Sequence, residues 1–202
     1  MKEGGYDTPY NQYRTAEIIK LIPKDVKTVL DIGSRGEMFK KKYKTTTLDY
    51  EEGADIVQDL NNNQILPFKD NSFDMIVVNQ LLEHLTNVEV LVKEMKRVSK
   101  KYIFVGLPNE LVLSNRLRFL MGLECGSGDG YCPYGHKHFF RIHTIERFIL
   151  DQFGDYKIKD HIFLGSFPQF YPDSVKDFLA NNLPTLFAGQ VNYIIGLKRN
   201  KK

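Results

Sequence analysis

Four short β-rich runs end in acids or amides whose types suit one composite ligand. Asp31 closes the first run and leads into Gly33-Ser34-Arg35-Gly36-Glu37. A pyrophosphate cradle needs Gly-x-Gly-x-x-Gly, so that backbone can approach the phosphates at a helix N-terminus. Here only Gly33 and Gly36 are glycine, and Arg35 stands in the place of the second. The Asp31 carboxylate would repel a pyrophosphate but can accept bonds from a cationic amine, so the loop suits a zwitterionic amino-acid group better. Asp49 ends the second run, "TTTLDY", where an α/β fold bonds both hydroxyls of a ribose. Asp59 follows the third run in "ADIVQDLNN" and can accept a bond from an exocyclic adenine amine. The fourth run starts at Phe73-Asp74 and closes with Asn79-Gln80, and Glu83-His84 come just after.

These residues need a scaffold that brings strand ends together. Strand patterns fall at 28–32, 45–48, 55–58, 73–78, 102–106, 157–163 and 191–197. Helical spacing covers 10–22, with Tyr13, Ala16, Ile19 and Leu21-Ile22 as its apolar positions and Pro23 as its stop. The strongest helix pattern is 87–99: Val88, Leu91, Val92, Met95 and Val98 form one face, and Lys93, Glu94, Lys96 and Arg97 the other. Thr86 with Glu89 predicts a capping box at its start. A further helix over 144–153 offers Ile145, Phe148, Ile149 and Phe153 to a core. Alternating strands and helices predict a doubly wound, mostly parallel sheet with helices on both faces. Ligands of such sheets bind beyond the carboxyl ends of the strands.

With the motifs in order, the sequence resembles the class I S-adenosylmethionine-dependent methyltransferases, in the branch acting mostly on small molecules. The resemblance is carried by Asp31-x-Gly33, Asp49, Asp59-Leu60, Pro67-Phe68, Phe73-Asp74 and Glu83-His84-Leu85, and runs from about 28 to 109. It continues more loosely through "GHKHFFRIHTIERFIL" to the last strand. It implies a Rossmann-like seven-stranded sheet with its last strand antiparallel. It also implies one methyltransferase domain over 1–202, with an N-terminal cap helix in 1–26 and a substrate-lid insertion in 107–140.

The cofactor implied is S-adenosyl-L-methionine, leaving as S-adenosyl-L-homocysteine. Asp31 and Gly33 would hold its methionine part, with the backbone near Ser34 and Arg35 closing over it. Asp49 would bind the ribose, Tyr50 would pack on the adenine, and Asp59 with Leu60 would hold the adenine edge. Asn79 and Gln80 would lie under the sulfonium. Arg14, next to Tyr13 on the first helix, is a candidate partner for the cofactor carboxylate. Arg35 and Glu37 depart from the family, which usually has glycines there.

On the acceptor side, His84, His136 and His138 are the candidate bases for an acceptor that must lose a proton. The segment "LPNELVLSNRLRFLMGL" reads as a lid helix, and "ECGSGDGYCPYGHKHFF" as a loop. Its Tyr131, Tyr134, Phe139 and Phe140 are aromatic candidates for a pocket or core. Cys125, Cys132, His136 and His138 could complete a zinc tetrahedron, but their spacing matches no common finger, and no metal is expected. The place of the Asn/Asp-Pro-Pro-Tyr/Phe turn of base-amino methyltransferases reads Asn79-Gln80-Leu81-Leu82, and no nucleophilic cysteine follows the fourth strand.

Composition adds limits. The 202 residues are 42% hydrophobic and 26% charged, with a net charge of +3, part of it in the tail Lys198-Arg199-Asn200-Lys201-Lys202. That modest charge, with no basic stripe, argues against nucleic acid as partner and leaves a small-molecule acceptor. No apolar run is long enough to span a bilayer, the first residues lack the apolar core of a signal peptide, and two cysteines make no disulfide scaffold. A cytoplasmic location is the expectation; oligomeric state is not readable. The rival reading is a non-catalytic relative that works as an interaction protein, and the glycine spacing sets aside a nicotinamide-dependent oxidoreductase.

Overall fold

The computed structural model describes residues 9–33, 39–123, 135–154, 156–165 and 172–197. Its strands are β1 (Thr28–Ile32), β2 (Lys44–Asp49), β3 (Ile56–Val57), β4 (Phe73–Asn79), β5 (Ser99–Pro108), β6 (Tyr156–Gly165) and β7 (Ala188–Leu197). They form one seven-stranded sheet in the order β3-β2-β1-β4-β5-β7-β6. The first five strands pair in parallel, and β7 runs antiparallel between β5 and β6. The helices are α1 (Pro9–Leu21), α2 (Val88–Val98), α3 (Leu113–Leu120), α4 (Ile142–Gln152), α5 (Asp173–Asn182) and α6 (Pro184–Phe187).

Both faces of the central strands are buried, and their side chains alternate between two cores. Leu30, Ile32, Ile76, Val78, Ile103 and Val105 face α2 and α4, packing with Leu91, Val92, Met95, Ile145 and Ile149. Val29, Met75, Val77 and Phe104 face the other way and pack with Ile18 and Ile22 at the end of α1. Fully burying one such side chain contributes roughly 1.5–3 kcal/mol. These paired faces hold the carboxyl ends of β1, β2 and β4 level.

Opposite those ends, a buried carboxylate ties two strands. Asp74 Oδ2 accepts bonds from the backbone N–H of Lys27 and Thr28, each 3.0 Å, and the Asp74 N–H donates to Thr28 Oγ1 at 2.9 Å. Burial disfavours the charge of Asp74, but these donors and Lys101 outweigh it and lower its pKa. Pro67 and Phe68 lie in a stretch fastened to α2. There Arg97 donates to the carbonyls of Leu66 and Phe68, and Glu94 accepts the Leu66 N–H at 2.9 Å. Two of the motif segments are therefore architectural.

Several local expectations need correction. The Thr86–Glu89 capping box does not form: α2 is capped at Asn87 without a side-chain bond. Thr86 Oγ1 instead accepts from Lys137 Nζ at 2.8 Å. Glu94 is buried rather than on the solvent face, because Arg97 and the Leu66 N–H satisfy its carboxylate. On α1 the expected apolar positions Tyr13, Ile19 and Leu21 pack against the core beside the fully buried Ile18, with Ile22 just past its end, and of the expected positions only Ala16 is exposed. Phe140 is buried in the core as expected, whereas Phe139, expected there too, is 53% exposed. Helices α5 and α6 had no counterpart in the sequence reading. None of the described helices is long and apolar enough to cross a membrane.

Candidate functional site

The site begins where β1 and β2 end side by side. Their register pairs Asp31 with Thr47 and Ile32 with Leu48, so Asp31 and Asp49 occupy neighbouring strand ends. Each is only 5% exposed. Gly33 follows at φ +74°, and its N–H donates to the Leu48 carbonyl at 2.8 Å. The left-handed turn favours glycine here, and a Cβ at Gly33 would stand 2.9 Å from Leu81 Cδ2, which would have to shift. Asp49 Oδ1 accepts the Glu51 N–H at 3.1 Å, and Tyr50 beside it is 44% exposed. Asp59 is exposed and caps its own loop, accepting from the Asn61 N–H and Asn62 Nδ2, while Leu60 is buried. Ser34, Arg35 and Glu37 lie outside the described residues, as do Cys125, Tyr131, Cys132, Tyr134 and the basic tail.

The third wall is a buried amide cluster at the end of β4. Asn79 Oδ1 accepts from Gln190 Nε2 at 2.6 Å, and the same nitrogen lies 2.5 Å from Asn192 Oδ1. Arg14 Nη2 donates to Gln190 Oε1, which ties α1 to β7 and sets the arginine expected to face the cofactor carboxylate beside the amide cluster. Tyr13 likewise donates to Asp177 on α5. Gly106 on β5 makes room for this cluster, since a Cβ there would come within 2.9 Å of Gln190 Nε2 and 2.7 Å of Asn192 Oδ1, and closer still to Asn79. Next along the chain, Gln80 takes φ +55°, and its buried Nε2 has no hydrogen-bond partner among the described residues. Buried donors are almost always paired, so this one is a candidate ligand contact.

Beyond Gln80 lies a group of acids and imidazoles. The single 3-10 turn Leu82–His84 carries Glu83, which is fully buried, and both its carboxylate oxygens lack a hydrogen-bond partner among the described residues. Burial pushes its pKa up to about 7. The rings of His84 and His136 meet edge to face at 4.7 Å between centroids. His136 Nδ1 donates to Glu110, itself buried, and that bond raises the pKa of His136. The backbone N–H groups of Lys137 and His138 both donate to the Glu83 carbonyl, at 2.6 and 3.2 Å. His138 Nε2 donates to the Leu85 carbonyl at 2.9 Å. The structure thus joins His84 and His136 and turns His138 toward backbone.

The insertion that supplies His136 is closed at its base by the Glu110 N–H, which donates to the Phe140 carbonyl at 2.8 Å. Within it, α3 buries none of its residues, and Leu117, Phe119 and Leu120 are exposed. A cleft of about 440 Å³ beside it is lined by Asn109, Leu111, Arg116, Arg141, Ile142, His143 and Thr185.

Sequence reasoning missed Glu83, Glu110, Gln190 and Asn192 as members of the site. The signals were present. Gln190 and Asn192 sit two apart on one face of an apolar strand, and Glu83 interrupts the leucines of "NQLLEHL".

Residues 18–103 match the family model for a methyltransferase domain. The matched stretch is a methyltransferase domain, and the sheet around it has the fold of solved S-adenosylmethionine-dependent methyltransferases. Solved methyltransferases share this fold over nearly their whole length. A SAM-dependent methyltransferase from Archaeoglobus fulgidus superposes with a TM-score of 0.59 at 21% identity, over 93% of this chain and 94% of that one. A SAM-dependent methyltransferase from Thermotoga maritima, described as a possible histamine N-methyltransferase, gives 0.63 at 18% identity, over 92% and 87%. A methyltransferase of Haloferax volcanii, solved with the Trm112 activator, gives 0.56 at 13% identity, over 94% and 91%. No curated protein matches the sequence.

Proposed function

We propose that this methyltransferase-family chain binds S-adenosylmethionine and transfers its methyl group to a small-molecule acceptor by direct displacement. The observation that carries the reading is the pair of buried carboxylates, Asp31 and Asp49, at adjacent strand ends beside the left-handed Gly33. The residues fit the cofactor. Asp31 offers its carboxylate to the amino group, Asp49 to the ribose hydroxyls, and Tyr50, Asp59 and Leu60 frame the base. Gln80 Nε2 is a buried donor awaiting an acceptor atom, and Asn79 is held beside it by Gln190.

The cofactor supplies an electrophilic methyl, and the protein's task is alignment. Holding two reactants in line is worth roughly 7–11 kcal/mol in favourable cases. His84 and His136, with Glu83 and Glu110 beside them, stand after the Asn79-Gln80 wall, where an acceptor would lose its proton. A base in that place typically adds about 10²–10⁴-fold. The exposed apolar side chains of α3 and Phe139 favour an acceptor with an apolar part.

Calorimetry with S-adenosylhomocysteine and with NAD, on wild type and Asp49→Ala, tests the cofactor. Heat with S-adenosylhomocysteine alone, lost in the variant, is expected; its absence in wild type would sink the enzyme reading. Transfer of labelled methyl into metabolite fractions rather than RNA or protein fractions then tests the acceptor class.

A further inference from the structure

We propose that Glu83, His84 and His136 bind one divalent transition-metal ion, zinc(II) being the ion their chemistry favours. One potential ligand atom from each lies within 4.8 Å of the other two. In a tetrahedron with bonds near 2.1 Å, ligand atoms stand about 3.4 Å apart, so side-chain rotations of about an ångström would close the set. Two further features point to a ligand. Glu83 is fully buried with both oxygens unpartnered among the described residues, whereas the buried acids Asp74 and Glu94 accept bonds from N–H donors. His136 already donates Nδ1–H to the buried Glu110. A carboxylate in that position fixes the tautomer and leaves Nε2 as the lone pair for an ion.

Two imidazoles and one carboxylate suit zinc and its neighbours rather than magnesium or calcium, which prefer oxygen alone. With three protein ligands, a fourth position stays open, and the His136 side chain, 24% exposed, gives a path from solvent. Ion binding stands apart from the methyl-transfer reading. If that reading also holds, the open position would take an oxygen of the acceptor and ease loss of its proton, replacing a histidine base.

The test uses the full chain, stripped with a chelator and titrated with Zn²⁺ by calorimetry and with Co²⁺ by visible absorption. One equivalent is expected, with affinity lowered more than about tenfold in Glu83→Gln and in His136→Ala, and by about tenfold in Glu110→Gln. His136→Ala removes a partly exposed side chain and carries the test if Glu83→Gln fails to fold. A Cys125→Ser/Cys132→Ser variant should bind as wild type does. No bound ion in wild type, unchanged affinity in His136→Ala, or loss of binding in the cysteine variant would each overturn the assignment.

Discussion

Gly106→Ala is the sharpest test of the amide cluster beneath the site. The strand backbone accepts alanine, so any effect comes from the added methyl. That methyl would stand 2.7 Å from Asn192 Oδ1 and 2.9 Å from Gln190 Nε2, with Asn79 Oδ1 nearer still. All three atoms are short polar groups held by one another, so none can swing away without giving up a bond. Overpacking of this kind costs about 1–3 kcal/mol, and a buried amide left unpaired adds about 1–3 kcal/mol. The sum, roughly 2–6 kcal/mol, corresponds to a fall in Tm of about 5–20 °C for a chain of this size. Thermal melts of the free protein would show it, and calorimetry with S-adenosylhomocysteine would show weaker binding because Asn79 is displaced. Asn79→Ala added to Gly106→Ala removes the nearest clash and should recover part of the lost Tm. A single variant melting within a degree of wild type would refute the cluster as drawn.

Gly33→Ala should weaken cofactor binding, from the φ of +74° and from contact with Leu81. The φ cost alone is about 1–2 kcal/mol, so Leu81→Ala should restore affinity only in part, as calorimetry would reveal. Asp74→Ala leaves the Lys27 and Thr28 N–H groups without their acceptor. It should cost about 1–3 kcal/mol in urea unfolding, while affinity for S-adenosylhomocysteine at the opposite strand ends stays unchanged. Glu94 has its pKa lowered by Arg97. Its contribution to stability is therefore complete above the ordinary glutamate range and is lost as pH falls through the depressed folded value. Melting curves against pH should show Glu94→Gln less stable at neutrality and flatter than wild type in acid.

Much of this fold is written in local pattern. The strand candidates all became strands, because buried parallel strands are short apolar runs and Asp31, Asp49 and Asn79 mark their ends. The helices between β6 and β7 were not read, since α5 lacks a strong apolar period and depends on packing against β6 and β7, and α6 is a single short turn packed on α5. The Thr86–Glu89 signature was overridden when Lys137, from a distant segment, claimed the threonine hydroxyl. Site residues divide in the same way. Asp31, Gly33 and Asp49 could be placed because strand ends are fixed by pattern. Glu83, Glu110 and His136 meet only because a long insertion returns to the 3-10 turn, and no spacing encodes that return. Arg14 donates to Gln190, a residue from the opposite end of the sequence, a pairing that no local spacing encodes.

The bond from the Glu110 N–H to the Phe140 carbonyl closes the insertion after β5 like a drawstring. Loop-closure entropy grows only slowly with length, about 0.6 kcal/mol per doubling, so what lies inside the closure can lengthen, shorten or change composition at small cost. The strands on either side would not register the exchange. If the proposed function holds, such a fold can trade acceptors over evolutionary time by rewriting one cassette, while the ends of β1 and β2 stay as they are.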